Sequence, residues 1–125
     1  MFDPKRFMET HVDYVMKNQI DVMVKTQYTE DAVLLSPFPC MEAPPPYVIR
    51  GNDAVRDFYH KYNAWQGFFE IERVYNQILA EDAISFQTVV RTQTGRWASG
   101  ISWRICDGRI SHHFSFGYRL DPPED

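Results

Sequence analysis

The chain has little cysteine, only Cys40 and Cys106 among 125 residues. Two are too few for a disulfide framework, so the core must hold by packing, and a reduced, cytoplasmic setting is the expectation. There is no basic excess: 13 Lys and Arg against 17 Asp and Glu leave a net charge of −4. A duplex nucleic-acid reader needs a basic face to meet phosphates, so no nucleic-acid partner is expected. No apolar run approaches the roughly 20 residues of a membrane helix. The opening Met1-Phe2-Asp3-Pro4-Lys5-Arg6 carries no apolar leader, so no membrane partner is expected either. The four histidines and two cysteines are scattered at no ligand-set spacing, which excludes a built metal site and leaves no cofactor in view. A phosphate-binding glycine loop and a nucleophile elbow are both missing.

Aromatic residues are what the chain has in quantity. Nine Phe, seven Tyr and three Trp make 15% of the sequence. Rings supply large apolar faces, and Tyr and Trp add a polar handle, so they fill a core, cover an interface or line a pocket. The length fits one domain, read as residues 1–120, with a disordered tail at 121–125.

Asp3 and Pro4 start a first helix. Phe7, Met8, His11, Val12, Val15 and Met16 form its apolar stripe at helical spacing. A break near Asn18-Gln19 separates a second helix, about 20–28, with Ile20, Met23, Val24 and Tyr28 on one side. Ala32 to Leu35 reads as a short strand, ended by Pro37 and Pro39. Five prolines from Ser36 to Pro46 make a loop, with Pro44-Pro45-Pro46 as stiff polyproline that serves as a spacer or rims a cavity mouth. Tyr47 to Ile49 is a brief strand. A third helix follows, capped by Asn52, with Ala54, Val55, Phe58, Tyr59 and Tyr62 as its apolar face. Four long strands close the chain: 68–80, 83–94, 97–106 and 109–120, the last two joined at the hairpin signal Asp107-Gly108. Helices first and a meander after define an α+β arrangement.

Three patches carry a resemblance. They are Tyr28-Thr29-Glu30-Asp31-Ala32-Val33-Leu34-Leu35-Ser36-Pro37, then Ile49-Arg50-Gly51-Asn52-Asp53-Ala54-Val55-Arg56-Asp57-Phe58, then Asp107-Gly108-Arg109-Ile110-Ser111-His112-His113-Phe114. In this order and spacing the chain resembles the nuclear transport factor 2-like superfamily, in particular its SnoaL-like polyketide cyclase and ketosteroid isomerase branches. The resemblance implies a cone-shaped, curved, mostly antiparallel sheet enclosing a pocket and packed against three helices (a cystatin-like α+β roll). It implies a small apolar ligand, polyketide- or steroid-like, handled by acid–base isomerisation, cyclisation or dehydration. A non-catalytic binding or interaction module of the same fold is the alternative. It also implies a homodimer through the outer sheet face, and the apolar stripe Ile84, Phe86 and Val90 is assigned to that face. Fold alone does not choose among these.

Three family carboxylate positions hold other residues here: Ser36, Ile101 and Ser115. The remaining proton carriers are His112 and His113, whose adjacency on a strand turns one of them inward. The family alignment favours His113, with Ser115 and Gly117 on the same side. The apolar pattern Ile110, Phe114, Phe116 favours His112. His113 is taken as the catalytic candidate, with Tyr14 or His11 polarising an oxygen. Trp97, Ile101 and Trp103 on one strand, with Phe58, Ser36 and Ser115, are the candidate pocket wall. Arg91 and Gln93 fall on the face opposite Ile84, Phe86 and Val90.

Overall fold

The computed structural model describes residues 1–67 and 69–120; the expected tail at 121–125 and the strand start at Phe68 lie outside the described residues. Helix α1 spans Pro4–Met16, α2 Ile20–Gln27 and α3 Asn52–Gln66. The strands are β1 Tyr28–Ser36, β2 Tyr47–Arg50, β3 Phe69–Leu79, β4 Ala83–Thr92, β5 Gly95–Cys106 and β6 Arg109–Arg119. They form one open sheet in the order β2-β1-β6-β5-β4-β3. Neighbours run antiparallel except β1 and β6, which are parallel.

The start of α1 follows from its first residues. The Asp3 side chain accepts the Arg6 N–H at 3.1 Å, and Pro4 needs no hydrogen-bond partner for its nitrogen. The break between α1 and α2 falls at Asn18, whose φ of 55° ends the first helix. Two boundaries differ from the sequence reading. The chain passes from α2 into β1 at Tyr28, four residues before the apolar run 32–35, because pairing with β6 starts there at Ile110. The N-cap of α3 is Gly51 rather than Asn52; its φ of 89° suits glycine. Within the triple-proline segment the Pro45–Pro46 bond is cis, where extended polyproline was expected.

Register shifts on the β3–β4 pair, between Ile71 and Arg73 and between Tyr75 and Ile78, mark the irregularities that bend a sheet. The concave face takes the three helices. Tyr28, Ile20, Met23, Leu34, Ile84, Ile110 and Val55 are sealed between the layers. At roughly 25 cal/mol per Å² of apolar surface, this burial is the main term holding helices to sheet. Ile84, Phe86 and Val90 lie on this inner face, at most 5% exposed. They cannot belong to an outer dimer face, which corrects that assignment. Arg91 and Gln93 are exposed on the opposite side, as their register requires. The outer face instead carries Phe114, Phe116 and Tyr118, all more than half exposed.

Candidate functional site

Between the helices and the inner face lies a cavity of about 90 Å³. Helix α1 contributes His11, Val12 and Val15, and α3 contributes Phe58, Tyr59 and Tyr62. The sheet contributes Ser36, Phe86, Ile101, His113 and Ser115 among others. Among the described residues lining it there is no Asp, Glu, Lys or Arg.

The orientation of His113 comes from a bulge. In the β5–β6 pair Ile105 faces Ile110, yet Arg104 faces His112, so Ser111 is an extra residue on β6. The insertion flips the parity of everything after it. Ile110 and His113 therefore both point inward, at 0% and 5% exposure, while His112, Phe114 and Phe116 point out. Strict alternation across Ser111, which favoured His112, fails for this reason. His11 enters from α1, one turn before Val15, and is 4% exposed. The two imidazole centroids are 6.4 Å apart.

Hydrogen bonds determine the tautomer of each ring. The Trp103 indole N–H, which can only donate, points at Nδ1 of His113 from 3.2 Å. Nδ1 is therefore the bare, accepting nitrogen, and the proton sits on Nε2. The Tyr28 hydroxyl, 2.7 Å from the same Nδ1, donates to it and accepts from Tyr59 at 2.7 Å. On the other side the Nε2–H of His113 meets the Ser115 Oγ at 3.2 Å, at the cavity wall. His11 is protonated the opposite way. The Gln27 amide nitrogen donates to the Phe7 carbonyl at 3.2 Å, which leaves Gln27 Oε1 to accept from Nδ1 of His11 at 2.9 Å. His11 Nδ1 thus carries the proton and Nε2 is bare. Among the described residues Nε2 has no hydrogen-bond partner and is not sealed off, and the ring lines the cavity.

Both rings are neutral at pH 7. Burial pushes His113 down to about 3, with the nearby His11 adding to the effect. Burial pushes His11 down to about 4, partly offset by the Gln27 bond. Burial also raises the hydroxyls of Tyr28, Tyr59 and Tyr62, so all three stay protonated. Among the described residues no three of His, Cys, Asp and Glu come together as a metal-ligand set.

His113, His11, Ser36, Ser115, Phe58 and Ile101 all meet at this cavity. Trp103 stands behind the wall, its ring 4.5 Å from that of His11, and supports both histidines. Trp97 lies to one side, packed edge-on to Phe38 and Trp65 at 5.6 and 6.0 Å. Tyr14 turns away from the cavity to a separate surface depression with Phe2, Phe7 and Thr10, so it is not placed to polarise an oxygen beside His113. The reason is helical geometry: His11, Val12 and Val15 share the inward side, and Tyr14 falls on its flank. Sequence reading missed Gln27, Tyr28 and Tyr59 as polar partners. Tyr28 and Tyr59 were visible only as rings on apolar stripes; Gln27 had no local signal, because its partner is 16 residues away.

No family model matches the chain, and no curated protein matches it. Solved structures do. IdmH of Streptomyces antibioticus, proposed to be a polyketide cyclase, superposes with a TM-score of 0.74 at 15% identity over 92% of this chain and 91% of its own. A nuclear transport factor 2-like protein of Anabaena variabilis gives 0.74 at 10% identity over 92% and 89%. A proposed ketosteroid isomerase of Kribbella flavida gives 0.71 at 12% identity over 98% and 82%. The chain therefore has the nuclear transport factor 2-like fold, an α+β cone with an open six-stranded sheet. Among the described residues no helix is long and apolar enough to cross a membrane.

Proposed function

We propose that the cavity takes a small, uncharged, mostly apolar molecule and moves a proton on it. The observation that carries this reading is the pair of neutral imidazoles, 6.4 Å apart, in a wall without formal charge among the described residues. His113 has one N–H donor, held by Ser115 Oγ in the unliganded cavity; a ketone oxygen that takes the place of Ser115 would receive it as negative charge develops. His11 presents a bare nitrogen, suited to take a proton. The sequence alone points to the opposite roles, His113 carrying the proton and His11 polarising the oxygen.

In an isomerisation, Nε2 of His11 removes a proton from the carbon beside the carbonyl. The electron pair moves onto the oxygen, which His113 holds by a stronger hydrogen bond. The proton then returns from His11 to a different carbon, and both rings end as they began. In a dehydration the proton leaves instead on a departing hydroxyl, as water. A base near 4 is weak, yet ketosteroid isomerases use one of roughly 4.6.

The test is turnover of 3-cyclohexen-1-one to its conjugated isomer, followed by ultraviolet absorbance. A positioned acid–base group is worth about 10²–10⁴ in rate. His11→Ala and His113→Gln should each lose at least about 100-fold. Undiminished rates in both folded variants would remove the pair from the mechanism.

A second reading is a binding module without chemistry. It is favoured by the low basicity of both imidazoles and by hydroxyls or an aliphatic chain at Ser36, Ser115 and Ile101. It expects bound ligand recovered unchanged. For partners, the reading adds a homodimer built on the outer face of the sheet around Phe114, Phe116 and Tyr118.

A further inference from the structure

Ser115 holds the one proton that His113 can give. Its Oγ lies 3.2 Å from Nε2 of His113, and both side chains line the cavity. Nδ1 of His113 is taken by donors, the Trp103 indole N–H at 3.2 Å and the Tyr28 hydroxyl at 2.7 Å. The neutral ring therefore donates only from Nε2, and Ser115 Oγ accepts. The hydroxyl proton of Ser115 goes elsewhere, to the Leu35 carbonyl on β1 at 3.4 Å. Ser115 thus has two separate links, one accepting and one donating.

The two links respond differently to a ligand. An incoming oxygen that takes the Nε2 proton keeps the His113 donor satisfied. Ser115 loses only its part as acceptor, since its own proton stays with Leu35. An oxygen with an unused lone pair is the cheaper group to leave, because under-satisfied oxygens are commoner than orphaned N–H groups. Ser115 is half-buried rather than sealed, and its hydroxyl turns about a single bond between staggered positions. For a neutral oxygen the swap replaces one acceptor by another of similar strength. For a negatively charged oxygen it gains, because charge-assisted hydrogen bonds are roughly twice as strong. A ligand without any acceptor leaves the Ser115 link intact, so no buried N–H is orphaned.

We infer that Ser115 is an internal competitor for the His113 proton: it admits ligands that lack an acceptor and reserves His113 for an oxygen stronger than a hydroxyl. The inference rests on the reading of this cavity as the functional site. In the reaction proposed there, that oxygen is the one on which charge builds as the proton leaves carbon. Ser115 is then a specificity-determining residue, and its removal has an unusual sign. A residue that simply holds the ligand weakens binding when it is lost. Loss of a competitor strengthens binding, and only for ligands that carry an acceptor.

The test compares cyclohexanone with methylenecyclohexane, which has the same shape and a CH₂ group in place of the oxygen. Chemical-shift titration gives the affinity ratio of the two probes in the parent chain and in Ser115→Ala. The ratio should move about three- to tenfold toward the ketone in the variant, as one net hydrogen bond predicts. Any room opened by the smaller side chain serves both probes and cancels in the ratio. Ser115→Cys keeps the bulk and weakens the acceptor, so it should move the ratio the same way. An unchanged ratio, or one that moves toward the hydrocarbon, would overturn the inference. A second measurement needs no variant and no ligand. Long-range proton–nitrogen NMR of the ¹⁵N-histidine-labelled parent chain at pH 7 should find the His113 proton on Nε2, and a proton on Nδ1 would overturn the inference as well. A shifted ratio without turnover of 3-cyclohexen-1-one would support the competitor and defeat only the proposed catalysis. Binding of neither probe to any of the chains would defeat both.

Discussion

The indole N–H of Trp103 meets Nδ1 of His113 at 3.2 Å, from the neighbouring strand position, Trp103 being the direct cross-strand partner of His113. A residue that packs like core therefore decides where the proton of the candidate donor sits. Tyr28 adds a second donor to the same nitrogen and brings Tyr59 into line behind it.

Removing the acceptor should be costly. His113→Ala leaves the Trp103 N–H and the Tyr28 O–H buried without their partner, at about 1–3 kcal/mol each. His113→Gln returns an acceptor and should recover part of the loss. Urea unfolding of both variants measures this, and an alanine variant as stable as the parent chain would contradict the hydrogen-bond assignment.

Acid should unfold the protein earlier than its surface charges alone would. Both histidines are held below their ordinary value, near 3 and near 4. The unfolded chain thus takes up protons first as pH falls through about 6.5, and the folded chain does so only near 3–4. The sign follows: stability is flat above about 6.5 and falls below it, by up to about 1.4 kcal/mol per pH unit for each ring. The groups facing the pair are Tyr28, Tyr59 and Tyr62, all protonated throughout this range. Thermal unfolding from pH 8 to pH 4.5 should show this slope in the parent chain and roughly half of it in His11→Gln. An unchanged slope in the variant would show that His11 is not buried neutral.

The outer face should pair two chains. The Phe116 ring lies over Gly100, where a Cβ would collide with it. It is flanked along β6 by the exposed Phe114 and Tyr118. Sedimentation at low micromolar concentration should give a dimer for the parent chain and a monomer for Phe116→Glu. A parent chain that sediments as a monomer would end the proposal.

The Phe38 wall should depend on a missing side chain. At Gly117 an added Cβ would sit 2.9 Å from the Phe38 ring and 3.1 Å from the Ala98 carbonyl oxygen. Phe38 lines the cavity. Gly117→Ala should cost about 1–3 kcal/mol by overpacking and weaken binding of 3-cyclohexen-1-one. Unaltered stability together with unaltered affinity would show that the ring moves aside freely.

Local pattern alone determined much of this molecule. The stripe Met8, His11, Val12 and Val15 made α1 and turned His11 inward; the alternation Ile84, Phe86, Val90 put these three on one face of β4 without saying which layer that face meets; Asp107-Gly108 made the last hairpin. Each is an effect of periods of 3.6 or 2 residues and of turn chemistry, which a short window of sequence contains. The tertiary structure decided the rest. The extra residue Ser111 became a bulge only through the pairing of β6 with β5, and that bulge chose His113 over His112. The protons on the two rings depend on partners far along the chain: Gln27 lies 16 residues from His11, and Tyr28 lies 85 residues from His113. A buried polar group takes whichever partner the packing brings to it, so its chemistry is settled by distance in space and not by distance in sequence.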